Sequence, residues 1–147
     1  MINLEEYSDE DYILYQVANW AMLGLVDIVN LDYDFKFYSF LDELFNTNEI
    51  SGEPGWFIEK IECDKNLDFL KTNDQTIFNK IRKLKEQGGN ICFWVNSSIH
   101  IPEDAIFTEK RFWFVVKGVI VDFIESNPEY SKQYELFKVK YSEKLNT

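Results

Sequence analysis

Apolar residues recur at helical spacing between residues 37 and 45. Asp42 and Glu43 lie off this stripe and are expected to face water, so the segment predicts an amphipathic helix. The stripe occupies positions i, i+3, i+4, i+7 and i+8: Phe37, Phe40, Leu41, Leu44 and Phe45. Three nearby aromatic residues are not placed by the stripe and are candidates for exposure: Tyr33, Phe35 and Tyr38.

A second helix is predicted between residue 73 and the glycine pair at 88–89. Ile77, Ile81 and Leu84 line one side of it. Asn73 or Asp74 is the expected N-cap, and the glycine pair is a typical helix end. The opposite face carries four basic residues: Lys80, Arg82, Lys83 and Lys85.

Two further helices are predicted near the ends of the chain. Ser8 is the expected N-cap of the first, and the acids that follow it suit the positive end of a helix dipole. From Tyr12 onward this helix is apolar nearly all round, which predicts a central position, and Gly24 is expected to kink or end it. The last helix restarts at "SNPEY" with Pro128 in its first turn. Its predicted apolar stripe is Tyr130, Tyr134, Phe137, Tyr141 and Leu145.

The remaining segments predict a small amount of extended structure. "NICFWVNSS" is rich in aromatic and β-branched residues and predicts a strand. "WFIEKIEC" suits either a short strand or a helical turn, and "EISGEPGW" is interpreted as a turn. Thr108 is the expected N-cap of a helix through "EKRFWFVVKGVIVDFIES", although its β-branched residues leave a strand over 111–124 as the alternative. The pattern as a whole predicts an α+β fold, predominantly α, with four to five helices and a small sheet or hairpin.

Length and composition predict one compact domain over residues 1–147. The chain is 46% hydrophobic and 17% aromatic, which is far from the composition of a disordered protein. Residues 12–31 are the most apolar stretch, but they include Gln16, Asn19, Asp27 and Asn30, so they predict buried core rather than a membrane span. The acidic start of the chain is unlike a signal peptide, and the expected location is cytoplasmic.

Candidate chemistry is sparse. His100 is the only histidine, and Cys63 and Cys92 are the only cysteines, whereas a metal site needs several ligands at suitable spacings. Both cysteines lie in apolar segments, which favours inert, unbridged, buried thiols. No phosphate-binding glycine loop is present. We therefore expect neither a cofactor nor a bound metal, and we predict that the protein is not an enzyme.

Charge is distributed unevenly along the chain. Residues 1–50 contain eleven acids and a single base, Lys36, so they carry a net −10 of the formal −11 of the whole chain. A field of this sign repels nucleic acid and anionic membranes. It suits a basic protein as partner, because opposite charge steers association.

Three functions remain in competition on the sequence. The first is a binding protein that docks on a basic partner, most sharply a bacterial immunity protein that neutralises a nuclease-type toxin. Such inhibitors are similar to this chain in composition, being small, acidic and free of cofactors. The second is an enzyme or small-molecule binder that uses carboxylates, and the third is a domain whose acids only solvate its surface. On the first interpretation the expected partner-binding residues are Glu5, Glu6, Asp9, Asp32, Tyr33, Asp34, Phe35, Tyr38, Asp42 and Glu43.

Overall fold

A computed structural model describes residues 7–28, 46, 49–52, 55–63, 75–97 and 103–142. Four α-helices lie within these residues: α1 Asp9–Ile28, α2 Gln75–Glu86, α3 Glu109–Ser126 and α4 Ser131–Lys140. A short 3-10 helix, Pro128–Tyr130, joins α3 to α4. Four strands accompany them: β1 Glu49–Gly52, β2 Trp56–Glu62, β3 Ile91–Ser97 and β4 Glu103–Thr108.

The four strands form one antiparallel meander in the order β1-β2-β3-β4. The register pairs Ile58 with Val95 and Val95 with Ala105, so these residues share one face of the sheet. β1 and β2 form a hairpin in which Gly52 pairs with Trp56. Gly55, in the connection, has a φ of 133°, a value that residues with a side chain rarely adopt.

The larger core lies between this face of the sheet and the helices α1, α3 and α4. Phe93 from β3 stacks on Phe112 from α3 with ring centroids 3.7 Å apart, and Trp113 meets Phe93 edge-on. Leu14 and Val17 of α1 are fully buried in the same cluster. Large aromatic rings contribute much buried area per residue, which explains how short strands support a continuous core.

A smaller core lies on the opposite face of the sheet, beneath α2. Ile77 and Ile81 of α2 pack against Ile61, Cys63 and Cys92. The two cysteines are buried and unbridged. Burial, together with the adjacent Cys63 thiol, raises the pKa of the Cys92 thiol, as expected for packing residues.

The predicted fold class, α+β with helix predominating, is confirmed. Segment 111–124 is helical, and Thr108 caps it by accepting a hydrogen bond from the Arg111 backbone N–H at 3.2 Å. "WFIEKIE" is a strand rather than a helical turn, and α1 continues past Gly24 to Ile28. α2 ends as predicted, with Gly88 at a φ of 91°.

Two expectations need correction. "EISG" is not part of a turn, because residues 49–52 pair with β2 as strand β1. The described part of α1 is not apolar all round, since Tyr12 and Gln16 are exposed beside the buried Leu14 and Val17. The reason is that the sheet and α3 cover only one side of this helix.

Several expectations lie outside the described residues. These are the helical stripe at 37–45, the caps Asn73 and Asp74, His100 and Leu145. Within the described part of the chain, no helix has both the length and the apolarity needed to cross a membrane.

Candidate functional site

Of the ten predicted partner-binding residues, the structure describes one, Asp9. It is exposed in the first turn of α1 and, within the part of the chain described, forms no ion pair. The other nine lie outside the described residues: Glu5, Glu6, Asp32, Tyr33, Asp34, Phe35, Tyr38, Asp42 and Glu43. The site is therefore built outward from Asp9.

The start of α1 is fixed by reciprocal hydrogen bonds between Ser8 and Asp11. The Ser8 backbone N–H donates to the Asp11 carboxylate at 2.9 Å, and the Asp11 backbone N–H donates to Ser8 Oγ at 3.3 Å. This is a capping box with aspartate in the place of the usual glutamate. It holds the first turn rigid and turns the Asp11 side chain away from solvent.

Asp11 forms an ion pair with Arg111 at the start of α3. The Arg111 Nε–H lies 3.2 Å from both Asp11 carboxylate oxygens, and Nη2 donates to Oδ2. Asp11 is only 2% exposed, whereas the Arg111 side chain is 39% exposed. A guanidinium that donates hydrogen bonds to a carboxylate through two nitrogens has a restricted orientation. The pair therefore joins the amino-terminal ends of α1 and α3 in a fixed arrangement.

The ion pair outweighs the cost of burying the Asp11 carboxylate. Burial alone raises the pKa of Asp11, but the hydrogen bonds from Arg111 and Ser8 and the positive charge of Arg111 bring the net pKa below its ordinary value of 3.8. Asp11 therefore stays ionised at neutral pH. The negative charge of Asp11 is compensated by Arg111 within the protein, so it adds little to the electrostatic field outside the molecule.

An aromatic cluster surrounds the exposed side of Arg111. The Tyr7 ring has its centroid 6.1 Å from that of Tyr12 and 6.4 Å from that of Phe114, in both cases edge-on. The Arg111 guanidinium carbon lies 4.8 Å from the centroid of the Phe114 ring, within the range of a cation–π contact. Tyr12 and Phe114 remain 38% and 43% exposed.

Two tyrosine hydroxyls of the cluster are held in the protonated form. Burial first, and then the charge of Asp122, raise the pKa of Tyr7 to about 12. Burial also raises the pKa of Tyr15, whose hydroxyl donates to Asp122 Oδ2 at 3.1 Å. Both phenols are therefore neutral at physiological pH, and Tyr15 uses its single O–H in the bond to Asp122.

A cleft of about 400 Å³ adjoins this cluster. Leu84 of α2 and Ile106 and Phe107 of β4 give it apolar walls, while Glu10 and Arg111 are among its polar lining. Glu10 is exposed, and none of the residues described forms an ion pair with it. Among those same residues, no group of three or more His, Cys, Asp or Glu side chains is placed to hold a metal ion.

The exposed and half-buried residues at the amino-terminal ends of α1 and α3 are together called the α1-end patch: Tyr7, Asp9, Glu10, Tyr12, Arg111 and Phe114. Aromatic and arginine side chains that are already fixed lose little conformational entropy on association. Two adjacent exposed carboxylates supply negative charge at the rim. The patch therefore combines exposed aromatic surface with the negative charges of Asp9 and Glu10.

Sequence reasoning placed Asp9 correctly on an exposed surface but missed the rest of the patch. The Ser8–Asp11 spacing was a usable signal for the capping box. No pattern in the sequence indicated that Arg111 and Phe114 are exposed. Their exposure depends on whether residues 111–124 form a helix or a strand, and the sequence allowed both. Tyr12 was assigned to the core and lies at its edge.

Comparison of the chain with family models, with curated proteins and with solved structures finds no match. Any function therefore has to be argued from the patch and from the charge of the chain.

Proposed function

We propose that this protein is a binding protein that docks on a basic partner protein through its acidic amino-terminal third. The observation that carries the proposal is the α1-end patch, in which exposed aromatic rings and a fixed arginine lie beside the acids Asp9 and Glu10. Four of its six residues belong to the segment 1–50, which holds a net −10: Tyr7, Asp9, Glu10 and Tyr12. Charge at the rim speeds association, and buried aromatic anchors slow dissociation.

The arrangement of charge within the patch supports the proposal. Arg111 is neutralised by the buried Asp11, so it contributes shape and aromatic stacking rather than net positive charge. Asp9 and Glu10 have no such compensation among the described residues. A basic surface approaching α1 therefore meets an uncompensated negative rim around an apolar centre.

The most specific version of the proposal is that the chain is an immunity protein, which neutralises a nuclease-type bacterial toxin. A nuclease needs a basic cleft to hold its polyanionic substrate. An inhibitor of such an enzyme needs only to cover that cleft with a complementary acidic surface. A small, acidic protein meets this requirement without any catalytic group of its own.

The test is to capture the partner and then measure the kinetics of binding. The chain is used as bait in a lysate of its native host, and the captured protein is identified and purified. We expect a basic protein whose association rate falls as salt rises, because the range of the field shortens to about 8 Å at physiological ionic strength. Association that is slow and independent of salt contradicts the proposal.

Matched variants locate the interface. Replacing Asp9 and Glu10 by lysine is expected to slow association with the partner. Tyr12→Ala and Phe114→Ala are expected to speed dissociation by about tenfold or more, as for anchor residues. Reversal of Asp34, Asp42 and Glu43 tests the remaining predicted contacts in the same assay.

Two exposed sites elsewhere serve as controls. Glu129 lies beyond the carboxyl end of α3, at the opposite end of that helix from Arg111, and Leu136 is a 65% exposed apolar residue on α4. Glu129→Lys and Leu136→Ala are expected to leave both rates unchanged. If these controls weaken binding as much as the patch variants do, the interface lies elsewhere.

A further inference from the structure

We propose that the sheet face beside α2 contains a binding site for an arginine side chain of the basic partner, centred on Asp104 and Trp94. This inference rests on the proposed function and adds a second contact to the α1-end patch. The site lies on the face opposite the main core, on the part of the sheet that carries Phe57, Trp94, Asn96 and Asp104. All four side chains are partly exposed.

The site is organised by two hydrogen bonds to one oxygen. The Trp94 indole Nε1–H donates to Asp104 Oδ1 at 2.8 Å, and Asn96 Nδ2 donates to the same atom at 2.6 Å. Among the residues that the structure describes, none forms an ion pair with Asp104 and none donates a hydrogen bond to its Oδ2. Both donors are neutral groups that add no positive charge, and the second carboxylate oxygen can accept a hydrogen bond from a ligand.

Aromatic rings adjoin this carboxylate. The Phe57 ring meets the Trp94 indole edge-on, with centroids 5.1 Å apart. Because Asp104 is hydrogen-bonded to the indole nitrogen, a cation bound at Oδ2 is adjacent to an aromatic surface. A ligand that has both a positive charge and a flat apolar surface can therefore contact the carboxylate and the neighbouring rings together.

The described strand residues on this face contribute no positive charge, and the nearest basic element is α2, which carries Lys80, Arg82, Lys83 and Lys85. The neighbouring positions on this face are Glu59, which is opposite Trp94, and Ile106, which is opposite Trp94 on the other side. None of the described strand residues on this face is lysine or arginine. The strand surface around Trp94 therefore carries the negative charges of Glu59 and Asp104, which are complementary to a cationic side chain.

Arginine fits this site better than lysine. Its planar guanidinium can donate hydrogen bonds to a carboxylate while stacking on an aromatic ring, whereas the lysine ammonium is a compact and strongly hydrated point charge. We therefore expect a preference for arginine of several-fold, which is the order of an exposed cation–aromatic contact.

The experiment titrates the isolated protein with a hexa-arginine peptide and, separately, with a hexa-lysine peptide at low salt. The readout is the indole N–H signal of Trp94 in a nitrogen-15 correlation spectrum, which contains four tryptophan side-chain signals and is assigned with Trp94→Phe. We expect a saturable shift of this signal, with tighter binding of the arginine peptide.

Asp104→Asn tests the charge while keeping an acceptor for the two internal hydrogen bonds. It is expected to weaken binding of the arginine peptide about fivefold, whereas Glu129→Gln, at an exposed site beyond the carboxyl end of α3, leaves the Trp94 shift unchanged. If Asp104→Asn does not fold, Phe57→Leu replaces it, and the expected result is loss of the preference for arginine over lysine.

Three results overturn the inference: no shift at Trp94, equal affinity in the Asp104 variant and the wild type, or equal affinity for the two peptides. Since no partner protein is present, these results do not bear on the α1-end patch. Loss of partner binding in the patch variants, with a normal peptide response at Trp94, would locate the failure in the proposed function instead.

Discussion

Arg111 and Asp11 lie 100 residues apart in the chain and form an ion pair that joins the first turns of α1 and α3. The carboxylate is buried and the guanidinium half-exposed. The pair therefore does two things: it fixes two helices relative to each other, and it presents Arg111 to the aromatic cluster in a fixed orientation.

Removing either partner of this pair is expected to destabilise the fold. Asp11→Asn loses the charge and weakens the capping box, which predicts a decrease in the free energy of unfolding of about 1–3 kcal/mol. Arg111→Met leaves a buried carboxylate without its cation and is expected to cost at least as much. Urea denaturation measures both.

The double variant is the control for this coupling. If the two side chains stabilise the protein through each other, Asp11→Asn combined with Arg111→Met costs less than the sum of the single changes. Strict additivity would mean that the contact contributes nothing beyond its two parts.

The same pair predicts a dependence of stability on pH. The pKa of Asp11 is lower in the folded protein than its ordinary value of 3.8, so its contribution is complete above that value and is lost as pH falls through the folded pKa. The wild type and Asp11→Asn should therefore differ in unfolding free energy at pH 7 and converge below pH 3.8. A difference that persists unchanged in acid would contradict this assignment.

Gly88, at the end of α2, is expected to be sensitive to substitution because of its backbone conformation. Its φ is 91° and a Cβ there would meet no atom within 4 Å, so the penalty for a side chain is one of backbone conformation. Gly88→Ala should lower the unfolding free energy by about 1–2 kcal/mol. Gly88→Asn, which tolerates this region better, should cost less, and thermal denaturation distinguishes the two.

The cysteines are expected to be unreactive in the folded state. Cys63 and Cys92 are buried, and the raised pKa of Cys92 keeps its thiol protonated at pH 8. Labelling with an aromatic disulfide reagent should therefore proceed no faster than unfolding, and should be immediate in urea. Rapid labelling of either thiol in native conditions would show that the smaller core opens readily.

The elements with a strong local signal could be predicted from the sequence. In α3 the buried residues follow a helical stripe, and this spacing decides between the helix and the strand that the β-branched content also suggested. They are Phe112, Trp113, Val115, Val116, Val119, Ile120 and Phe123. The cap at Thr108 agreed with that stripe. Here local pattern and tertiary packing point to the same structure.

The elements that depend on pairing could not be predicted. β1 has four residues and two of its positions are Ser51 and Gly52, so it is a strand only because β2 lies beside it. β4 alternates Asp104 and Ile106 with the buried Ala105 and Phe107, a pattern too short to be distinctive. No pattern in the sequence predicted the ion pair between Asp11 and Arg111, because any of the fifteen basic residues could have paired with Asp11.

The packing of α1 has a consequence for the order of synthesis. α1 rests mainly on β3, β4 and α3, all of which are encoded at least sixty residues later. At a typical rate of about 5–20 residues per second, its apolar side therefore emerges from the ribosome roughly 5–20 seconds before α3 is complete. The meander pairs only neighbours in the chain and can assemble as it emerges. The nascent protein consequently exposes the α1 side chains that will later be buried, and chaperones that bind apolar segments have their longest opportunity at the amino terminus.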